Sequence, residues 1–365
     1  MIAVSILFFV VYFGIFSVLI ILMLRGNPIK TVAFPPEKVK ISILIAARNE
    51  EHNILRCLHS ILKLNYPAEL IEVSIGDDAS TDNTFSVVSG FIADKPNFSI
   101  FPIKENLGSA RGKANVSAYL AHKATSDYFF ITDADMELPP DWVTGMLAPV
   151  SPQTGIITGI TTVQGQNFFS RMQALDWLNA LGMIQVVSDL NWPVSTMGNN
   201  MLVTRAAYES TGGYENIPFS ITEDIQLFQE VLKKGWGFRN IFTEQVLAFT
   251  APAQNLRALM HQRKRWMRGS MHLPLYMKVV LIVYASFYAV LLPFFGYLPV
   301  SYGFGILLLK WLFQSYFIQQ CLKRVKRKTT VPDLFLFEFY MLFTSLLLLI
   351  FFFIPVKINW KGRKY

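Results

Sequence analysis

Cysteine is nearly absent from this chain of 365 residues. The two that occur, Cys57 and Cys321, lie far apart in segments of different kinds, which excludes a disulfide framework and a cysteine-based zinc site. No internal repeat or low-complexity tract is present. Acidic residues are missing from three stretches, 257–268, 323–328 and 357–364, which together hold fourteen lysines and arginines. The net charge of +8 is therefore not spread as in a nucleic-acid binder: elsewhere nineteen basic residues face 25 acidic ones, so the body of the chain is mildly acidic. The surplus lies beside apolar segments, as at the cytoplasmic margins of a membrane protein, and no nucleic-acid partner is expected. Apolar residues abound, with 52% hydrophobic, 31 Phe and a positive mean hydropathy, too much for an ordinary soluble enzyme.

The N-terminus has neither a basic leading region nor a small-residue cleavage site, so its uncharged run Ile2 to Leu24 reads as a retained anchor over 1–25, with Arg25 at its cytoplasmic end. Residues 26–39 read as a linker. From 40 to 252 apolar runs of strand length alternate with helical patterns, which predicts an α/β domain with a mostly parallel sheet. Strands are expected at Ile41 to Ala47, Ile71 to Gly76, Phe98 to Ile103, Tyr128 to Thr132, Ile156 to Val163 and Met201 to Thr204, and helices near 51–64, 82–93 and 110–124.

The early strands end in chemically useful residues. Tyr128 to Ile131 runs into Asp133 and Asp135, followed by the turn pair Pro139-Pro140. Ligands of open α/β sheets collect outside the carboxyl ends of the strands, and two hard oxygen ligands there suit Mg²⁺ or Mn²⁺ carrying a diphosphate. The first strand leads into Arg48-Asn49-Glu50 and the second into Asp77-Asp78-Ala79-Ser80-Thr81-Asp82. Ser80 and Thr81 suffice to cap a following helix, which leaves Asp77 and Asp78 available to a base N–H or a ribose hydroxyl. Between Gly108 and Gly112 only three residues intervene, and Ala114 follows Lys113, so this segment is not a P-loop, although a cationic helix start can still hold a diphosphate. Ser220-x-x-Glu223 has the form of a capping box, which gives Glu223 a structural duty and leaves Asp224 without one.

Taken together, Ile-Leu-Ile-Ala-Ala-Arg48-Asn-Glu50, Gly-Asp77-Asp78-Ala-Ser-Thr-Asp, Thr-Asp133-Ala-Asp135, Thr222-Glu223-Asp224 and Gln262-Arg-Lys-Arg265-Trp266 resemble, in identity and order, the motifs of membrane-embedded family-2 glycosyltransferases. That branch includes ceramide and carotenoid glycosyltransferases and the cellulose, chitin and hyaluronan synthases. The resemblance covers about 40–270. It implies a GT-A (Rossmann-like) fold, an inverting transfer, a nucleotide-sugar donor, with a UDP-sugar as first expectation, and Mg²⁺ or Mn²⁺ as cofactor. By the same resemblance Arg48, Glu50, Asp77 and Asp78 surround the nucleoside and Lys113 lies near the diphosphate. Asp133 contacts nucleotide and metal, Asp135 binds the metal more directly, and Asp224 is the catalytic base. Gln262, Arg265 and Trp266 close over the diphosphate and the acceptor. Ala79 departs from the glycine that many relatives carry, which puts only the local turn in question.

Residues 253–273 form a basic amphipathic pattern suited to a membrane surface, 274–356 hold apolar segments (Tyr276 to Phe295, Val300 to Leu322, Leu334 to Ile354), and 357–365 is a basic tail. Lys310 and Glu338 are unusual inside such segments, and either an acceptor groove or snorkelling accounts for Lys310. The expected setting is the plasma (inner) membrane with the catalytic domain in the cytoplasm. At most four spans offer little from which a monomer could build a polar conduit, so a lipid acceptor is expected rather than a growing polymer. A processive polysaccharide synthase is the alternative, and a catalytically silent nucleotide-sugar-binding scaffold is disfavoured by the intact Asp-x-Asp and base. Oligomeric state is not legible.

Overall fold

The computed structural model describes residues 2–26, 38–297 and 299–355, with backbone strands at 359–360 and 363–364. Most of the expected linker and the side chains of the basic tail lie outside the described residues. Two compact units emerge, an α/β unit of 38–164 and 195–252 and a helical unit of 2–26, 165–194 and 253–355.

In chain order the elements are α1 (Ile2–Arg25), β1 (Ile41–Ala47), α2 (Ile54–Ile61), β2 (Ile71–Asp77), α3 (Thr84–Ile92), β3 (Phe98–Pro102), α4 (Lys113–Lys123), β4 (Tyr128–Asp133) and α5 (Trp142–Leu147). There follow β5 (Thr154–Thr158), β6 (Thr161–Val163), α6 (Phe168–Ser188), β7 (Asn200–Thr204), α7 (Arg205–Ser210), α8 (Glu223–Lys233), β8 (Gly237–Asn240) and β9 (Ala248–Thr250). The chain continues with α9 (Leu256–Ser270), α10 (Leu275–Ala285), α11 (Phe287–Phe294), α12 (Val300–Arg324), α13 (Val331–Phe353) and a short hairpin, β10 (Asn359–Trp360) with β11 (Arg363–Lys364).

The α/β unit is built on a sheet of order β3-β2-β1-β4-β7-β5-β8. β1 is apolar along nearly its whole length because helices cover both faces of a parallel sheet. Its register sets the site: Ala47 lies opposite Asp77 on β2, and Ala46 opposite Asp133 on β4, so three strands deliver their polar ends to one edge. Parallel pairing holds across β3, β2, β1 and β4, as expected, but β7 runs antiparallel to both neighbours. An apolar run announces a strand without its direction, and the chain enters β7 only after its excursion through α6. The expected strand at 156–163 divides in two: β5 stays in the main sheet, while β6 turns away to pair with β9. Trp142, fully buried, ties these parts together by donating to Asn200 Oδ1 at 2.8 Å and meeting Phe130 edge to face.

In the helical unit α6 is the hub, with fourteen of its 21 residues buried. Three of its polar side chains and its C-terminal cap reach four different helices: Arg171 pairs with Asp333 on α13 at 3.1 Å, Asp176 with Arg263 on α9, Asn179 donates to Tyr284 on α10, and the cap Asp189 lies 3.6 Å from Arg324 of α12. Among the described residues, three segments are long and apolar enough to cross a membrane: Ile2–Arg25, Leu275–Phe294 and Val331–Phe353. The expected segment at 300–322 is a continuous helix, α12, but Lys310, Gln314, Gln319 and Gln320 make it less apolar than the other three. Lys310 neither snorkels nor faces an open groove. It is 3% exposed, paired with Glu338 and Gln314, and lies over the rings of Phe287 and Tyr288. The basic helix α9 also departs from a simple surface helix, because Lys264 is buried and donates to the carbonyls of Phe351 and Ile354 at 3.2 and 2.6 Å, capping the end of α13.

Candidate active site

The strand ends of the α/β unit gather most of the expected residues. Asp77 Oδ2 accepts from the Ser80 amide at 3.2 Å, while its Oδ1 is buried with no hydrogen-bond partner. A buried acceptor without a donor costs about 1–3 kcal/mol, so this oxygen is poised for a ligand N–H or hydroxyl. Arg48 donates to the carbonyls of Asp78 and Ala79, and the Asp78 amide returns to Ala47. Ala79 has φ +52, in the left-handed region that favours glycine, so the substitution noted from sequence strains this turn locally. Glu50 is buried, with Oε2 accepting from Asn53 at 2.8 Å and its amide donating to Thr84.

Asp133 and Asp135 are half-exposed, whereas Ala134 and Met136 beside them are fully buried, so both carboxylates lie on the open side of the turn. Arg56 and Cys57, consecutive on α2, donate to the backbone carbonyls of Asp135 and Asp133 respectively. Burial first, then Asp135 and Asp133, push the Cys57 thiol well up. Thr250, at the end of β9, donates to Asp135 Oδ2 at 2.9 Å. These supports were invisible in sequence because their partners are tertiary. Only the helical pattern around Arg56 hinted at a buried face.

Among the described residues no cluster of three or more acidic, histidine or cysteine side chains could hold a metal by itself. The donor set present, two half-exposed carboxylates at a strand end, fits a hard divalent ion that completes its shell with substrate phosphates, the usual arrangement for Mg²⁺.

Lys113 opens α4 behind Gly112, whose φ of +57 turns the chain into the helix. Its ammonium sits 2.5 Å from Asp133 Oδ1, 3.4 Å from Glu223 Oε1 and 3.1 Å from the Gly198 carbonyl. Burial pulls this group toward neutrality, but Asp133, Glu223 and Asp224 outweigh it and hold it above the usual lysine value. The capping box expected for Glu223 does not form: Ser220 Oγ bonds Thr222, and Glu223, first residue of α8, turns to Lys113 instead. Burial pushes the Glu223 carboxyl up, Lys113 draws it back, and Asp224 and Asp133 leave it above the usual range. Asp224 accepts from the Gly198 amide at 2.8 Å and the Ile225 amide at 2.9 Å.

Gln262, Arg265 and Trp266 belong to α9 in the helical unit. There Trp266 meets Trp177 edge to face at 4.7 Å and lies under the Arg263 guanidinium, and Gln262 Oε1 is buried with no partner.

A mixed sheet with acidic strand ends, a strand-end Asp-x-Asp and a carboxylate at the start of a later helix is the GT-A arrangement of nucleotide-sugar glycosyltransferases. The chain belongs to glycosyl transferase family 21, whose model matches residues 6–365. Its fold is shared with the mannosyltransferase PcManGT of Pyrobaculum calidifontis, solved with GDP-Man and Mn²⁺, at TM-score 0.60 and 20% identity over 88% of this chain and 98% of that one. Among curated relatives, the poly-beta-1,6-N-acetyl-D-glucosamine synthase of Staphylococcus epidermidis is 25% identical over 63% of this chain and 54% of its own length. The beta-monoglucosyldiacylglycerol synthase of Synechocystis sp. is 25% identical over 68% of this chain and 50% of its own. The chain thus spans about half the length of the curated relatives it matches.

Proposed function

We propose that this protein transfers one sugar, with inversion, from a nucleotide-sugar donor to the hydroxyl of a membrane lipid at the cytoplasmic face. The observation that carries the reading is the convergence of Asp77, Lys113, Asp133, Asp135 and Asp224 at one sheet edge of a family 21 chain that also has apolar spans. Asp77 and Asp78 take the nucleoside, together with Arg48, and Lys113 takes the diphosphate. Asp133 and Asp135 would hold a Mg²⁺ or Mn²⁺ ion, which supplies charge neutralisation for the departing diphosphate. Asp224 removes the acceptor proton as the hydroxyl oxygen bonds to the anomeric carbon and the bond from that carbon to the diphosphate oxygen breaks. With the leaving group stabilised, no partner acid is required, unlike the carboxylate pair of a glycosidase. The motif match alone assigns Gln262, Arg265 and Trp266 to the diphosphate and the acceptor.

The glycolipid synthase relative supports a lipid acceptor, and the polymer synthase relative, equally similar, supports the second reading, processive synthesis. The scarcity of spans favours the first, since sugar hydroxyls of a polymer cannot stay unpaired in hydrocarbon. Radiolabelled donor in liposomes of defined lipids is expected to yield an organic-extractable species bearing one sugar. A water-soluble ladder formed without lipid acceptor would show polymer synthesis instead.

We infer the orientation from charge within the helical unit. Arg324 at the end of α12 donates to the Met23 carbonyl near the end of α1 at 2.6 Å, so Arg25, Lys323, Arg324 and the basic run to Lys328 share one side, which the positive-inside rule assigns to the cytoplasm. In a chain otherwise free of cysteine, Lys328→Cys is expected to resist a membrane-impermeant thiol reagent in intact cells and to react after lysis. Labelling in intact cells would reverse the orientation.

A further inference from the structure

Gly198, in the turn before β7, is bonded on both sides by charged groups of the site. Its carbonyl accepts from Lys113 Nζ at 3.1 Å, and its amide donates to Asp224 Oδ2 at 2.8 Å. The two groups belong to successive peptide planes that rotate about the Gly198 Cα, so the residue is a hinge between the donor-side cation and the base. Only glycine fits. A Cβ there would stand 2.8 Å from Asp224 Cβ and 3.2 Å from its Oδ2, closer than side-chain carbons approach. The turn beyond it is fixed, since the Asn199 carbonyl accepts from Thr132 on β4 at 3.0 Å, so movement at 198 passes toward Asp224 rather than into β7.

We propose that Gly198 is a positioning residue that makes the readiness of Asp224 depend on occupancy of the diphosphate site. This rests on the reading of Asp224 as base and of Lys113 as diphosphate ligand. Without donor, Lys113 is shared among Asp133, Glu223 and the Gly198 carbonyl, and Gly198 in turn holds Asp224 Oδ2. A diphosphate oxygen offers Lys113 a charged acceptor, and the neutral Gly198 carbonyl is the weakest of its present partners and the first to be given up. Donor binding therefore takes Lys113 from the Gly198 carbonyl, frees the hinge and loosens its amide from Asp224. An oxygen of the base then becomes available to the acceptor hydroxyl. The sequence of events is donor first, acceptor second.

Hydrogen exchange on the unmodified protein tests the link directly. Adding nucleotide sugar with Mn²⁺ is expected to speed exchange of the Gly198 amide, even though bound ligand ordinarily slows exchange nearby; an unchanged or slowed amide overturns the proposal. Gly198→Ala provides the kinetic arm, with donor affinity by calorimetry unchanged and kcat lowered roughly 10²-fold, the cost of misplacing a catalytic group by about an ångström. An alanine variant that binds donor and turns over normally also overturns it. Asp224→Asn, run alongside, separates the two levels: turnover there removes the base assignment itself, whereas a dead Asp224→Asn beside a fully active Gly198→Ala removes only the hinge.

Discussion

Asp224→Asn is expected to abolish most turnover, by roughly 10²–10⁴-fold, while leaving the affinity for the nucleotide sugar in place. The substitution keeps the shape of the side chain, and its one remaining oxygen can still accept from either the Gly198 or the Ile225 amide, so the start of α8 keeps one of its two side-chain bonds. What it deletes is the capacity to take a proton. The loss should appear in kcat at saturating acceptor, because a base acts only once the acceptor oxygen begins to bond. Calorimetric titration with the donor, beside product formation from radiolabelled sugar, separates the two quantities. Full turnover by the asparagine variant would end the assignment of Asp224.

Asp135→Ala should fail earlier in the cycle. Its carboxylate is held by Thr250 and its backbone by Arg56, so the side chain is presented rather than mobile, and with Asp133 it forms the carboxylate pair of that turn. A bound ion contributes several kcal/mol to a departing diphosphate, at about 1.4 kcal/mol per tenfold in rate. Activity is expected to fall by roughly 10²-fold or more, and donor binding is expected to lose its response to added Mn²⁺. Chelation of the unmodified protein should reproduce that loss and readdition of metal should reverse it. A variant whose donor affinity still rises with Mn²⁺ would place the ion elsewhere.

The centre of this fold was legible in sequence because each central strand is an apolar run that stops at a polar residue. β1 begins and ends where its hydrophobic pattern does, and the registers of β2 and β4 then bring Asp77 and Asp133 together. What escaped is what depends on distant partners. Glu223 satisfies a local capping pattern but answers instead to Lys113 on another helix. α6 was missed because Arg171, Asp176 and Asn179 interrupt its apolar pattern, and each, like Asp189 at its C-terminal cap, is polar for the sake of a different neighbouring helix. Asn200 is fully buried between Trp142 and the carbonyls of Ile160 and Val246, a position that a run of small polar residues before a strand does not advertise. Gly198, likewise, reads as an ordinary turn glycine until its two charged partners are known.

The placement of α6 has a practical consequence. Because 165–194 leaves the α/β unit and packs with α1, α12 and α13, the enzyme is interleaved along its gene and cannot be divided by a single cut. A fragment ending near 252 would keep α1 but lose α12 and α13, the other helices packed on α6, and so bare part of the apolar surface made by Met172, Leu175, Trp177, Leu178, Met183 and Val186. Such a fragment should be sticky rather than soluble. Soluble versions of the catalytic half therefore call for replacing 165–194 with a short linker between β6 and β7 as well as trimming the apolar ends.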